Sequence, residues 1–479
     1  MKCTKVQQTI QRSLSSISKN FPCLSSVVAD LHNCGARIFL VGGAVRDMLL
    51  SQQPKDLGHN DLAHKDLDIE VHAVSLEVLE TVLKKYGHVR TVGKAFGVLR
   101  IDGIEIDWSL PRTDSQGRKP EVVIDPHMSL IDACRRRDLT MNAMMIDLVT
   151  EECIDPFNGY EDLQKKILRA PDPTLFKEDP LRFYRVMQFI GRFEMVPDQE
   201  LSNLCATMDS SKVSKERIFQ EFEKLFLKSK KPSLALQWLD DIGRLQTLLP
   251  ELYATKGTSQ NPEYHPEGDV FEHSKQAVDG AAAAQYASDE ERLIMVLAAL
   301  CHDLGKVKTT CMIDGVLRSH GHDIAGVPLA DTLLDRLSDK TFLKKPILRL
   351  VRHHMMPVSM VKNNAGACAY KTLARNLSPT SLRCLFQLAI FDKSARNPER
   401  GKPLLECPEP LLDVFFENAE KYGVIDAPEV PVLTGKDFLD EIPEGPELGM
   451  LLQRAYDLQL ESGICDKDEL KKLVLKKRR

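Results

Sequence analysis

The sequence predicts an α/β head followed by an all-α remainder, and two observations carry that expectation. Between 36 and 170, strand-like and helical stretches alternate: RIFLV, AVRDMLL, LDIEVHAV, SLEVLETVLKKYG, FGVLRI, EIDWSL and a helix around DLTMNAMMI. From 171 onward strands all but vanish, and PDPTLFKEDPLRFYRVMQFIGRF, SKERIFQEFEKLFL and SLALQWLDDIGRLQTLLPEL have helical spacing with Pro and Gly as punctuation. A chain of 479 residues is too long for one ordinary core. The expected divisions are an N-terminal helical segment (1–35), the head (36–170), a helical neck and body (171–260), a second helical domain (261–400) and a helical C-terminal region (401–479). That last region has Pro-rich joints and ends in the basic tail LKKLVLKKRR, which reads first as solubilising charge.

Composition narrows the function classes. The chain is 43% hydrophobic and 28% charged, as a folded water-facing protein is, with a net charge of −5. No global field draws it to nucleic acid, so any RNA binding must come from local basic patches. The longest clean apolar run, Leu293 to Cys301, is too short to span a bilayer. Twelve cysteines without CxxC pairs argue against a zinc ribbon and for a reducing compartment. Residues 1–29 are Ser-rich, with Lys2, Lys5, Arg12 and Lys19 and no acid, as in an organellar transit segment. The plainer reading is a helix with Ile10, Leu14 and Ile17 turned inward, which leaves the cytoplasm as the expected location.

The stretch FLVGGAVRDMLL runs an apolar strand through Gly42 and Gly43 into a helix. Paired glycines let the backbone come close to a ligand, and a helix N-terminus offers unpaired N–H groups to a phosphate. An ordinary tight turn would also fit. Further on, KDLDIEV sets Asp66 and Asp68 two apart on a strand, so both carboxylates point to one side. Such acids repel unless a cation lies between them, and oxygen-only ligands suit Mg²⁺. In EIDWSL, Asp107 could add a third carboxylate on a second strand. Together these pieces can seat a metal-bound triphosphate, with Gly42 and Gly43 at its phosphates. The competing reading is a solvated strand edge.

VGGAVRDMLL followed by KDLDIEV resembles the signature of the class II nucleotidyltransferases, the CCA-adding tRNA nucleotidyltransferases and bacterial poly(A) polymerases. The resemblance continues in order through CRRRDLTMNAM, IDPFNGYEDLQKKILRAP, KEDPLRFYRVMQF and VSKERIFQE, over roughly 36–255. It implies a polymerase-beta-like sheet with helices, catalytic metal-binding roles for Asp66 and Asp68, an additional strand acid at Asp107, and a triphosphate seat at Gly42, Gly43 and Arg46. It also implies nucleotide-binding roles for Arg137, Asp138, Asn142, Asp179, Arg182 and Arg185. Atoms support one of these roles. Cytosine and adenine present an amino donor beside a ring-nitrogen acceptor, whereas uracil and guanine present the reverse. A carboxylate accepts and a guanidinium donates, so Asp179 and Arg182, three apart on a helix face, would take C and A and reject U and G. Asp179 before Pro180 is equally a helix start.

The second constellation begins at HPEGDVFEH, with His265 and His273. It continues through LCHDLGK (His302, Asp303), SHGHD (His320, His322), VRHHMMP (His353, His354) and FDKSARNPERG (Asp392). Mixed imidazole and carboxylate ligation points to Mn, Fe, Ni, Co or Zn. The order resembles the HD phosphohydrolase domain, over about 264–400. That resemblance implies a metal set of His273, His302, Asp303 and Asp392, with His322 and one of His353 and His354 completing a second site or binding phosphate.

The sequence thus leads us to expect a CCA-adding nucleotidyltransferase using CTP and ATP on the tRNA 3′ end, with Mg²⁺ in the head and a transition metal in the HD domain. No membrane partner is expected. The sister activities (CC-only, A-only or poly(A) addition) share these motifs. A phosphohydrolase with an RNA-binding head is a rival of another class, and a non-catalytic RNA chaperone a weaker one.

Overall fold

A computed structural model describes residues 4–50, 67–92, 97–114, 122–399, 401–405, 409–439 and 442–476. The chain packs as two compact units, Met1–Val213 and Ser214–Arg479. The expected acid Asp66 lies outside the described residues.

The described residues of the first unit hold eleven strands: β1 (Arg37–Val41), β2 (Leu67–His72), β3 (Val89–Val92), β4 (Val98–Ile101), β5 (Ile106–Ser109), β6 (Arg112–Asp114), β7 (Val122–Ile124), β8 (Met145–Asp147), β9 (Cys153–Ile154) and a short parallel pair, β10 (Ile167–Leu168) with β11 (Val196–Pro197). Seven of them form one mixed sheet in the order β3-β4-β5-β2-β1-β8-β9, while β6 and β7 make a separate hairpin. Only β2 and β5 pair parallel within the large sheet. β1, the apolar run RIFLV, pairs antiparallel with β2 on the side away from β5 and is buried from Ile38 to Val41. In β2, Leu67, Ile69 and Val71 take one face, and Asp68, Glu70 and His72 the other. The parallel register sets Asp68 directly beside Asp107. Helix Gly43–Leu50 follows β1 through Gly42, whose φ of +70° favours glycine. The N-terminal residues form helix Thr4–Asn20, with Val6, Ile10, Leu14 and Ile17 buried at helical spacing.

Among the described residues the second unit is helical apart from one hairpin, Cys311–Ile313 with Val316–Arg318. That hairpin turns through Asp314 and Gly315, both at positive φ, the pairing a tight primed turn requires. Its central helix, Val270–Ala283, is buried at every position from Val270 to Ala282. The C-terminal helices Pro446–Ser462 and Lys467–Lys476 share a core of Phe438, Leu448, Leu451, Leu470 and Val474. Among the described residues no helix is long and apolar enough to cross a membrane, and all ten cysteines are free.

Candidate active sites

In the head, the double-glycine corner lies against charged side chains. A Cβ on Gly42 would sit 3.5 Å from Asp68 Oδ2 and 3.6 Å from Arg137 Nη1. The acid and the guanidinium therefore flank the backbone where β1 enters its helix. Asp68 is exposed, and Asp107 is half-buried with Oδ1 taken by Arg100 Nε at 2.6 Å. Arg100 thus already compensates part of the third carboxylate's charge.

Arg46 has a different environment from the one expected of a phosphate ligand. Its guanidinium is buried: Nη1 donates to Asn142 Oδ1 at 2.7 Å, Nε donates to Asp47 at 2.8 Å, and the group lies 4.7 Å from the Phe193 ring centroid and 5.4 Å from that of Phe189. These contacts make it a brace between helices Gly43–Leu50 and Leu181–Phe193.

The bonding continues from Arg46. Asn142 Nδ2 donates to Asp138 Oδ1 at 2.9 Å, and Arg185 Nε donates to Asp138 Oδ2 at 2.6 Å. Burial pushes the Asp138 carboxyl up, but Arg185 and the Asn142 hydrogen bond outweigh it and bring it down to about 2. Asp179 Oδ1 accepts from Leu181 N at 3.0 Å, so it does cap its helix. Arg182 is held by two carbonyls, Leu175 O at 2.8 Å and Arg136 O at 2.5 Å. Those two bonds engage two of its five N–H groups.

Glu70 was not singled out from the sequence. Its buried carboxylate accepts from Arg136, Arg137 and His72. Burial raises its pKa, but His72, Arg137 and Arg136 together lower it to about 2. Nothing in LDIEV distinguishes it from an ordinary outward strand acid.

In the second unit, four histidines converge. His302, His322 and His354 donate Nδ1–H to the carbonyls of Ala299, Ser319 and Val351, at 2.7–2.8 Å. His273 Nδ1 is held by Glu267 Oε1 at 2.6 Å. An acceptor-only partner on Nδ1 leaves Nε2 as a lone pair in the neutral ring. Those lone pairs meet: His273 and His302 Nε2 are 3.3 Å apart, and His322 and His354 Nε2 are 3.0 Å apart. Facing lone pairs need a proton or a cation between them, so the donor set fits a metal. Asp303 lies between the pairs, with Oδ2 at 3.3 Å from His302 Nε2 and Oδ1 at 3.2 Å from His322 Nε2. Asp392 Oδ1 lies 3.1 Å from His273 Nε2. Among the described residues three candidate metal groups result, His265–Glu267–His273, His273–His302–Asp392 and Asp303–His322–His354.

His353 belongs to none of the groups found among the described residues, because neighbours on a helix diverge by about 100°. Burial would raise the Asp303 carboxyl, yet Lys306 and His302 hold it well below the usual carboxylate range; Arg396 outweighs burial likewise at Asp392. Gly305 explains how the groups come together. A Cβ there would lie 2.0 Å from the His322 carbonyl, so only glycine lets helix His322–Leu337 approach Asp303.

This fold and these side-chain groups define a nucleotidyltransferase head in one unit and an HD-type site in the other. The Poly A polymerase head domain family matches residues 38–169, the family described as the probable RNA and SrmB-binding site of polymerase A matches 210–255, and the HD domain family matches 270–385. The multifunctional CCA protein of Methylobacillus flagellatus is 34% identical over 402 residues, covering 82% of this chain and 90% of that protein. That of Pasteurella multocida is 30% identical over 383 residues, covering 77% and 82%. The chain belongs to the multifunctional CCA protein family. Its fold is shared with the Thermotoga maritima CCA-adding enzyme complexed with tRNA, at a TM-score of 0.58, 19% identity and 98% coverage of both chains. A CCA-adding enzyme solved with CTP gives 0.57 at 18% identity, covering 97% of this chain and 96% of that one.

Proposed function

We propose that this chain adds CCA to the 3′ end of tRNA from CTP and ATP without a nucleic-acid template, and that its HD site hydrolyses phosphoric esters. The observation that carries the first activity is the corner where Asp68 and Arg137 flank Gly42. An acid for metal and a guanidinium for phosphate, meeting at a backbone with no Cβ, suit a triphosphate. Asp66 and Asp68 hold Mg²⁺, and Asp107 contributes where Arg100 leaves it an oxygen. Bound there, Mg²⁺ would supply charge neutralisation for a leaving pyrophosphate and a lower pKa for an attacking 3′ hydroxyl. Gly42 and Gly43 admit the phosphates, and Arg137 binds them. Asp138 and Asn142 orient the sugar. Asp179 accepts from the amino group of C or A, and Arg182 donates to the ring nitrogen. The two carbonyls on Arg182 keep that donor plane fixed, and a wrong base leaves charged groups unpaired.

In the second unit, His273, His302, Asp303 and Asp392 hold a divalent transition metal, and His322 with His354 completes a second position. Held there, such a metal would supply Lewis acidity for a phosphoryl oxygen and for water. Lys306, 2.6 Å from Asp303, sets a cation at the same place. The proposed location is the cytoplasm.

The test is extension of a tRNA trimmed of its last three nucleotides, with CTP alone, ATP alone, both, or all four nucleotides, followed by product sequencing. Growth by three nucleotides ending in CCA, only when CTP and ATP are both present, is the expected result. A stop at CC, a single A added only to a CC end, or a poly(A) run would assign a sister activity. Absence of growth would make the head a binding module.

A further inference from the structure

We infer that Glu70 is a positioning residue for nucleotide binding: one buried carboxylate fixes both the guanidinium at the double-glycine corner and the carbonyl that holds Arg182. The inference rests on the reading of Arg137 as a triphosphate ligand.

Glu70 lies two residues after Asp68 on β2, on the same face, and is 1% exposed. A carboxylate this deep persists only where donors surround it. Its Oε2 receives Arg136 Nη2 at 2.5 Å and Arg137 Nη2 at 3.2 Å, while Oε1 takes His72 Nε2 at 3.1 Å. Both arginines lead onward from that anchor. The opposite edge of the Arg137 guanidinium, Nη1, reaches the Gly42 corner beside Asp68. A side chain gripped at one edge presents its other edge in one place, and a free arginine would sample many rotamers. Arg136, gripped by its side chain, offers its backbone carbonyl to Arg182 Nη2. One acid thus sits behind the phosphate-facing group and behind the base-facing group. The arginine side chains are 24% and 21% exposed and their anchor is not, as expected of ligands at a site edge backed by the core.

A merely structural Glu70 would neutralise two buried charges and do nothing for the nucleotide. The two roles separate in steady-state tRNA extension by Glu70→Gln, Glu70→Asp, Arg137→Gln and the double variant Glu70→Gln/Arg137→Gln. In Glu70→Gln the KM for both CTP and ATP should rise about tenfold, with the KM for tRNA nearly unchanged and more UTP incorporated. Glu70→Asp keeps the charge but retracts the oxygens, and should fall between wild type and Glu70→Gln. The double variant should bind nucleotide no worse than Arg137→Gln alone, because Glu70 acts through Arg137. Additive losses, or an unchanged nucleotide KM in Glu70→Gln when Arg137→Gln raises it, would overturn the inference. An unchanged KM in Arg137→Gln would instead remove the triphosphate role on which it rests. If Glu70→Gln does not fold, Glu70→Asp alone and combined with Arg137→Gln carries the same comparison.

Discussion

Glu267 sits between two imidazoles, with its Oε1 2.6 Å from His273 Nδ1 and 2.8 Å from His265 Nδ1. These are hydrogen-bond distances, too short for two ligands of one metal, so the carboxylate orients His273 rather than joining it at an ion. It compels Nδ1 to carry the proton and leaves Nε2 to face Asp392 and His302. The three other clustered histidines get the same service from backbone carbonyls, which accept more weakly than a carboxylate. His273 should therefore be the most basic ligand and the one most dependent on its partner. Glu267→Gln keeps an acceptor oxygen but removes the charge, and is expected to weaken Mn²⁺ or Ni²⁺ binding by about tenfold or more. Calorimetric titration of the metal-stripped protein measures this directly, and unchanged affinity would refute the orienting role.

Elements explain why residues far apart in sequence meet. Helix Val270–Ala283 is rich in small residues (AVDGAAA), so neighbouring helices approach it closely on every side. That burial encloses Asp279, whose carboxylate accepts from Ser233 N at 3.0 Å and Ser233 Oγ at 2.6 Å. Helix Ser233–Asp241 starts after Pro232 with no side-chain cap of its own, and Asp279 supplies one from another helix. Burial drives its pKa up to about 7, against the lowering pull of the Ser233 bonds. A folded pKa above the unfolded one means that the folded state binds the extra proton. The stability it contributes is present below about pH 4 and is lost as pH rises through about 7. Asp279→Asn keeps the acceptor without the buried charge. Its melting temperature relative to wild type should climb between pH 5 and pH 8, and a constant difference in thermal melts would contradict the account. Much of this architecture was legible in the sequence, because an apolar run such as RIFLV and a spacing such as Ile10, Leu14, Ile17 depend only on local pattern. The Asp314-Gly315 turn carries an equally local signal, an Asp-Gly pair between two short apolar runs in CMI-DG-VLR. Partner identity was not legible. No local rule says that Phe189 and Phe193 will stack on Arg46, that His354 and not His353 will face His322, or that Glu70 and Glu267 will be buried among donors.

At the scale of the whole molecule, the chain holds two sets of chemical groups, one in each compact unit. The head's groups are carboxylates and guanidinia, a hard-oxygen set suited to Mg²⁺ and triphosphate. The second unit's groups are imidazoles with carboxylates, which bind transition metals far more tightly than Mg²⁺. Separate ligand sets predict separable losses. Asp68→Asn should reduce nucleotide addition at least about a hundredfold and leave phosphoester hydrolysis intact. Asp303→Ala removes the carboxylate between both histidine pairs, so it should abolish hydrolysis and spare addition. Metal chemistry gives a second route to the same separation. Chelation should stop both activities, Mg²⁺ alone should restore addition, and Mn²⁺ or Ni²⁺ should be needed for hydrolysis. The measurements are tRNA extension and release of phosphate from a chromogenic phosphoester on the same preparations. If Asp68→Asn also lost hydrolysis, or if Mg²⁺ restored both activities equally, the second unit's histidines would not be an independent metal site. The hydrolysis would then have to be reassigned to the head.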